Sequence, residues 1–271
     1  TYLISAIFRP DQLFFMPWGG GYRKLLHCFE HIFVQDQNSA ALLQKYGVHH
    51  VTVAGDTRFD RVVEVKNAAK DLPIVESFVA DAERVIIAGS SWQKDEQFLA
   101  RYMAEREGVK LVLVPHEIDA KHLHEIFQFF DGRFVRYTEA TPMSLDKCRV
   151  LLVDTIGVLS SIYRYGHVAY IGGGFGVGIH NTLEAATFGL PIAFGPKYEK
   201  FKEARDMVAL GAATKVESAE ELSRWFAPLR DDAEYLARTS AIAKDYTAKN
   251  QGATALFMKI AFNNDFGSKS E

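Results

Sequence analysis

The 271-residue chain is 48% hydrophobic and 24% charged, with a formal net charge of −3. That balance suits an ordinary globular fold and lacks the basic footprint of a nucleic-acid binder. The two cysteines, Cys28 and Cys148, supply neither a zinc ligand set nor a disulfide framework and point to a reducing compartment, and no run of about eighteen apolar residues offers a membrane span.

In chain order, TYLISAIF reads as a strand already under way, so the chain is expected to begin inside a domain whose natural N-terminus lies upstream. HCFEH (27–31) matches a zinc-protease pattern that would put two histidines on one helical face, but it lacks an identifiable third ligand. HIFVQ is a second strand, followed by DQNSAALLQKYG, a capped amphipathic helix closed by Gly47. VTVAG and DTRFDRVVEV come next, and the pattern restarts after DLP at 71–73. RVIIAG then leads into SSWQKDEQFLARYMAERE, and KLVLVP into HEIDAKHLHEIFQFF. RFVRY, CRVLLVD, GVLSSIYRYG, HVAYIGG, a helix from Asn181, LPIAFG and KFKEARDMVALG follow, with a mostly helical tail from Ser218 and a frayed end, NNDFGSKSE. Short apolar strands alternating with helices predict an α/β fold built on parallel sheets. The expected segments are 1–58, the back half of an N-terminal α/β domain; 59–75, an interdomain linker or helix; 76–250, a complete Rossmann-like domain; and 251–271, a C-terminal helix and frayed tail.

Ligands of open parallel sheets bind beyond the carboxyl ends of the strands, so strand-to-helix turns are the places to look. YIGGGFGVGIHNTLEAATFGLPIAFGP (170–196) concentrates glycines, including Gly176 and Gly178, just before His180, Asn181 and Glu184. It fits neither the dinucleotide spacing nor the Walker motif, because Ile179 stands where lysine is required. Bare backbone opening onto a helix near Asn181 can receive a phosphate on unpaired amides, and Glu184 can accept the two hydroxyls of a ribose. Alternatively, Asn181 and Glu184 form a capping box. AGSSWQKDE (88–96) offers Ser90 or Ser91 either as an ordinary helix cap or as a phosphate or carboxylate ligand. LVPHEI sets His116 at a strand end, able to donate to a phosphate or to carry charge beside it. LLVDTIGVL sets Asp154, Thr155 and Gly157 at another turn, where amides of Ile156–Val158 can read a base edge or Asp154 can cap a helix. His122 and His124, two apart on a helix, do not converge and are expected on a solvated face. His49 and His50 carry no assigned role.

Taken in order, ISAIFR, FVQDQNSAALLQKYGV, VTVAGDTRFD, AGSSWQKDE, LVPHEI, LLVDTIGVL and the glycine-rich stretch resemble the Kdo (3-deoxy-D-manno-octulosonic acid) transferases of Gram-negative lipopolysaccharide synthesis. The resemblance implies a GT-B-like glycosyltransferase with two Rossmann-like domains, the N-terminal one on the acceptor side and the C-terminal one binding the nucleotide sugar. It implies transfer of Kdo from CMP-Kdo to a lipid A precursor at the cytoplasmic face of the bacterial inner membrane, with no cofactor, no metal and no nucleic-acid partner. The stretch in hand is expected to be soluble, to bind CMP and to turn nothing over, because the family's catalytic glutamate and membrane anchor would precede Thr1. CMP contacts are implied at Pro115, His116, Ile156, Gly157, Val158, Asn181, Thr182, Leu183 and Glu184. Possible further donor contacts are Arg58, where relatives tend to have lysine, and Ser90, Ser91, Asp154, Thr155, Gly176, Gly178 and His180. Pro115 replaces the arginine often found before the histidine of the PHEI segment. Arg9, Arg23, Lys24 and Trp18, with Phe14, Phe15 and Met16 between them, form a basic-aromatic cluster suited to a phosphorylated glycolipid at a membrane surface, or alternatively ordinary core plus solvated charge. A UDP-sugar epimerase or another GT-B transferase is the competing reading.

Overall fold

Alternating apolar and amphipathic stretches become two parallel sheets in the computed structural model, which describes residues 1–105 and 107–263. The chain divides into two compact units, Thr1–Glu64 with Ala248 onward, and Val65–Thr247.

The first unit carries β1 (Tyr2–Ala6), β2 (His31–Val34) and β3 (Val51–Val53), all parallel and in that spatial order. Helix α1 (Gly20–Leu26) precedes β2, and α2 (Gln37–Lys45) connects β2 to β3. The cap of α2 is Asp36, whose carboxylate accepts the Ser39 N–H at 2.7 Å, and the chain leaves the helix through Gly47 at φ +84°, a conformation that costs glycine little. Phe15, Leu26, Ile32, Val34 and Leu43 pack into one apolar cluster. Because α1 ends at Leu26 and His31 opens β2, the two histidines of HCFEH do not share a helical face.

Helix α3 (Thr57–Asn67) supplies the tie that brings the far end of the chain into this unit. Asp60 accepts the N–H groups of Gly252 at 2.6 Å and Thr254 at 2.7 Å, capping the C-terminal helix Ala253–Asn263 from a position almost two hundred residues away. Phe257 of that helix sits edge-on to Tyr2 and to Phe33, with ring centroids 5.9 and 5.2 Å apart. The units therefore divide at 64/65 and 247/248, whereas the sequence reading set its limits at 58, 75 and 250. The expected frayed tail lies almost wholly outside the described residues.

The second unit opens with α4 (Pro73–Val79), its proline in the first turn, where a missing N–H costs nothing. The sheet that follows contains β4 (Arg84–Ser91), β5 (Val109–Pro115), β6 (Val135–Arg136), β7 (Val150–Leu152), β8 (Val168–Ile171), β9 (Ile192–Phe194) and β10 (Ala213–Lys215), in the order β10-β9-β8-β4-β5-β7-β6. Helices α5 (Gln93–Ala104), α6 (Ala120–Phe129), α7 (Pro142–Leu145), α8 (Leu159–Ile162), α9 (Leu183–Thr187), α10 (Lys202–Leu210), α11 (Ala219–Asp231) and α12 (Ala233–Lys249) complete it. β5 is buried along its whole length, as a parallel strand covered on both faces must be. β10 was not expected: it is an edge strand ending in Thr214 and Lys215 and lacks an apolar run.

The order of strands locates the ligand crevice. From β4 the chain moves outward through β5 to the β6 edge, returns to β7, and then crosses to the other side of β4 as β8. The direction of winding reverses between β4 and β8, and a crevice opens beyond their carboxyl ends.

Removing the distant cap tests how the first unit is closed. Asp60→Ala should cost about 1 kcal/mol of stability, a typical loss for a deleted cap, and should speed amide exchange selectively in Gly252–Leu256. The hydrogen bonds hold the Asp60 carboxyl below its usual range despite the opposing effect of burial. Its contribution is therefore present above the unfolded carboxylate range and lost as pH falls through the folded value. Unchanged exchange in the variant would show that the ring contacts alone hold the helix.

Candidate functional site

β4 runs on to Ser91 and α5 starts at Gln93, so the cap position belongs to Trp92 and not to either serine. Asp95, three residues into the turn, accepts the Trp92 N–H at 3.0 Å. Ser90 has φ +53°, the left-handed bend that ends the strand. Ser91 is fully buried and its hydroxyl donates to Glu96 Oε1 at 2.9 Å, which removes it from the expected ligand set. His122 Nε2 lies 3.0 Å from the same oxygen, so His122 is a buried partner of Glu96 and not part of a solvated face; His124 is exposed, as expected. Burial pushes the Glu96 carboxyl above its usual range, against the pull of His122 and Ser91.

The glycine-rich loop leaves β8 on the neighbouring strand. Its bareness is explained largely by packing of the chain on itself. A Cβ on Gly172 would collide with the Ser90 carbonyl, one on Gly174 would stand 2.6 Å from Gly195 Cα, and one on Gly178 2.9 Å from the Phe201 ring. Only Gly176 has room, its nearest neighbour being 3.4 Å away. The expectation that a ligand phosphate explains the glycines therefore gives way to close approach of backbones. Asp95 binds the loop in place: Oδ2 accepts the Gly173 N–H at 2.9 Å and Oδ1 accepts the Tyr170 hydroxyl at 2.6 Å. Lys197, beyond β9, was given no role from the sequence; its Nζ donates to the Gly176 carbonyl at 2.6 Å.

Between the turn and the loop, three rings stack. His116, just past β5, lies 4.4 Å from His180 at an interplanar angle of 26° and 4.7 Å from Trp92 at 29°. Trp92 donates its indole N–H to His180 Nε2 at 2.9 Å. Burial, and then the neighbouring His116, hold the pKa of His180 below its ordinary value. The structure thus unites two predicted histidines with a tryptophan that sequence reasoning passed over.

Asn181 does not open the helix. Helix α9 is only five residues long, Leu183–Thr187, and Asn181 Oδ1 accepts the Leu183 N–H at 3.1 Å while its Nδ2 donates to Glu184 Oε1 at 3.0 Å. So short a helix has little dipole, and one of its first amides is already engaged. Thr182 and Leu183 are fully buried, which leaves the Asn181 and half-buried Glu184 side chains as the accessible part of the predicted set. Burial raises the Glu184 pKa, and the Asn181 bond only partly offsets it.

At the end of β7, Asp154 is a structural tie. Its carboxylate, 1% exposed, takes Arg136 NH2 at 2.8 Å, the Thr138 hydroxyl at 2.6 Å and the Thr138 N–H at 3.0 Å. Burial alone would raise its pKa, but these partners together hold it low. Thr155 is partly buried, Ile156 is 82% exposed, Gly157 turns at φ +83° with open space about it, and Val158 leads into the four-residue α8. Pro115 is buried at the tip of β5.

In the first unit, Arg58 is ion-paired with Asp56 at 2.7 Å. The basic-aromatic cluster splits in two. Phe15 is core and Arg23 lies over the Tyr46 ring at 4.9 Å, whereas Trp18 is 72% exposed, with Arg9 and Lys24 also at the surface. Among the described residues no helix is long and apolar enough to cross a membrane, and no group of three His, Cys, Asp or Glu is placed to hold a metal ion.

Comparison with known proteins agrees with this fold. Over 69% of the chain it superposes on 96% of the crystal structure of the C-terminal CMP-Kdo binding domain of WaaA from Acinetobacter baumannii, at TM-score 0.55 and 19% identity. All of it superposes on 70% of a putative UDP-N-acetylglucosamine 2-epimerase from Listeria monocytogenes, at TM-score 0.62 and 15% identity. These likenesses define the class: an α/β fold of the GT-B type. Residues 1–61 match the family described as 3-Deoxy-D-manno-octulosonic-acid transferase (kdotransferase). The chain is 27% identical to the 3-deoxy-D-manno-octulosonic acid transferase of Bordetella pertussis over 93% of its own length and 61% of the relative's. It is 25% identical to that of Aquifex aeolicus over 72% of itself and 52% of that protein. The chain is thus similar in sequence to Kdo transferases, and it spans between half and two thirds of the length of these two.

Substitutions in the loop test the packing account. Gly172→Ala and Gly174→Ala should each cost about 1–3 kcal/mol, the usual range for overpacking, whereas Gly176→Ala should leave the urea midpoint unchanged. Equal effects at the three positions would contradict it.

Proposed function

We propose that the chain is the donor-binding part of a transferase that moves Kdo from CMP-Kdo to a lipid A precursor in lipopolysaccharide inner-core synthesis. The observation that carries this reading is the similarity to the Bordetella transferase along nearly the whole chain, joined to the accessible group of His116, His180, Asn181 and Glu184 beyond the central strands. Asn181 holds Glu184 Oε1, leaving Oε2 without a protein partner among the described residues and suited to the hydroxyls of a ribose. Ile156 is exposed and a Cβ on Gly157 would meet open space, which leaves room at this turn for the edge of a cytosine. His116 and His180 supply ring N–H groups for the phosphate that leaves as Kdo is transferred. The acceptor hydroxyl attacks the anomeric carbon of Kdo as CMP departs, and its proton goes to a general base that this reading assigns to none of the described residues. The reading puts the acceptor lipid and the cytoplasmic face of the inner membrane with the exposed Trp18, Arg9 and Lys24.

Thermal-shift titration checks the nucleotide. Saturating CMP should raise the midpoint more than UMP or NAD, following the stabilisation expected from binding to the folded state alone. A larger response to UMP would favour a UDP-sugar enzyme, and a response to NAD alone would overturn the reading.

The pH dependence tests the acid. Ribose hydroxyls need the ionised carboxylate as acceptor, and Glu184 has a raised pKa. CMP affinity should therefore begin to fall above the ordinary carboxylate range as pH is lowered. Glu184→Gln should lose that step and about tenfold in affinity, the equivalent of one charged hydrogen bond. An unaltered profile in the variant would remove Glu184 from the site.

A further inference from the structure

We propose that Trp92 is a positioning residue that fixes the tautomer of His180, placing its proton on Nδ1 for donation to an oxygen of the nucleotide phosphate. The ligand half of this proposal rests on the donor-site reading above; the tautomer half stands on the protein alone.

An indole N–H can only donate, so the His180 Nε2 that faces it at 2.9 Å must be the unprotonated, accepting nitrogen. A neutral imidazole with Nε2 as acceptor carries its proton on Nδ1. The ring is held in this orientation from several sides. Trp92 lies nearly parallel to it, at 12°, with centroids 6.3 Å apart, and His116 stacks at 4.4 Å. Its backbone N–H donates to the Gly172 carbonyl at 3.1 Å. Gly173 clears the edge that meets the indole, since a Cβ there would stand 3.0 Å from Cδ2 and 3.2 Å from Nε2. His180 Nδ1 has no protein partner among the described residues, in a half-buried ring where an unmet N–H is costly.

The arrangement gives the crevice a neutral hydrogen-bond donor beside His116. A proton added to His180 would be opposed by burial of the ring and then by the neighbouring His116, whose ring lies 4.4 Å away. The donor is also aimed before any ligand arrives, because the turn holding Trp92 is itself fixed by Asp95, which accepts the Trp92 N–H and the Gly173 N–H on the same oxygen.

The test is nuclear magnetic resonance of the ring nitrogens in the 15N-labelled full chain, with His180 signals identified by their loss in His180→Gln. In the free wild-type protein at neutral pH, His180 should show the Nδ1–H pattern. In Trp92→Phe, which retains an aromatic ring but lacks the N–H donor, the pattern should shift toward Nε2–H, and the ring should titrate at higher pH. CMP should perturb Nδ1 in the wild type and cytidine should not, and Trp92→Phe should weaken CMP roughly tenfold, the loss expected when one hydrogen bond to a ligand is no longer pre-aimed. A wild-type His180 found as the Nε2–H tautomer or as a cation, or a tautomer unmoved by Trp92→Phe, would overturn the proposal even if CMP binds. The predicted tautomer with no response to CMP would instead uphold Trp92's role and overturn the cytidylate reading. An equal response to cytidine would reassign the Nδ1 donor from phosphate to nucleoside.

Discussion

The buried carboxylate of Asp95 is the interaction on which the site depends. Its two oxygens collect the Tyr170 hydroxyl at 2.6 Å, the Gly173 N–H at 2.9 Å and the Trp92 N–H at 3.0 Å. These donors come from the end of β8, the loop after it, and the turn after β4, the two strands between which the winding of the sheet reverses. Such a crevice exists in any sheet of this order, but its walls are loops, and loops need something to fix them. Burial raises the Asp95 pKa in spite of three donors. A carboxyl raised in this way gives up stability as pH rises through its folded value, so at neutral pH the joint is held at an energetic cost.

From that joint the rest follows outward. With Trp92 held, its indole reaches His180; with Gly173 held, the loop presses so closely on Ser90 and Gly195 that side chains are excluded. The glycines thus serve the protein's own packing first, and the accessible polar side chains beside the loop are those of His116, His180, Asn181 and Glu184. On the proposed function, phosphate binding would draw on ring N–H groups more than on the dipole of a five-residue helix.

Much of this was legible in the sequence. Apolar runs such as RVIIAG and KLVLVP, buried on both faces, announce a parallel sheet, and the rule that ligands sit at strand ends selected His116, His180, Asn181 and Glu184. What escaped has identifiable causes. The helix after Asn181 is short because Gly189, at φ +80°, ends it, and the β10 edge strand has no hydrophobic pattern to betray it. Ser91 and Asp154 resemble caps from their positions, but each is consumed by another side chain, Ser91 by Glu96 across the turn and Asp154 by Arg136 across a strand pair. His122 was misplaced for the same reason, since only the packing of α6 against α5 reveals Glu96 as its partner. Trp92 and Asp95 lay within a stretch singled out at once, yet their meaning depends on β4 lying beside β8, a pairing of strands far apart along the chain.

Hydrogen exchange at single amides in Asp95→Ala, compared with the wild type, tests the central claim most directly. Loss of the carboxylate should reduce protection at Gly173 and Trp92 by roughly ten- to a hundredfold, the range set by one buried hydrogen bond, while amides in the middle of β5 keep theirs relative to the variant's global stability. Protection at Gly173 that survives the substitution would contradict the account, since the loop would then be held without Asp95.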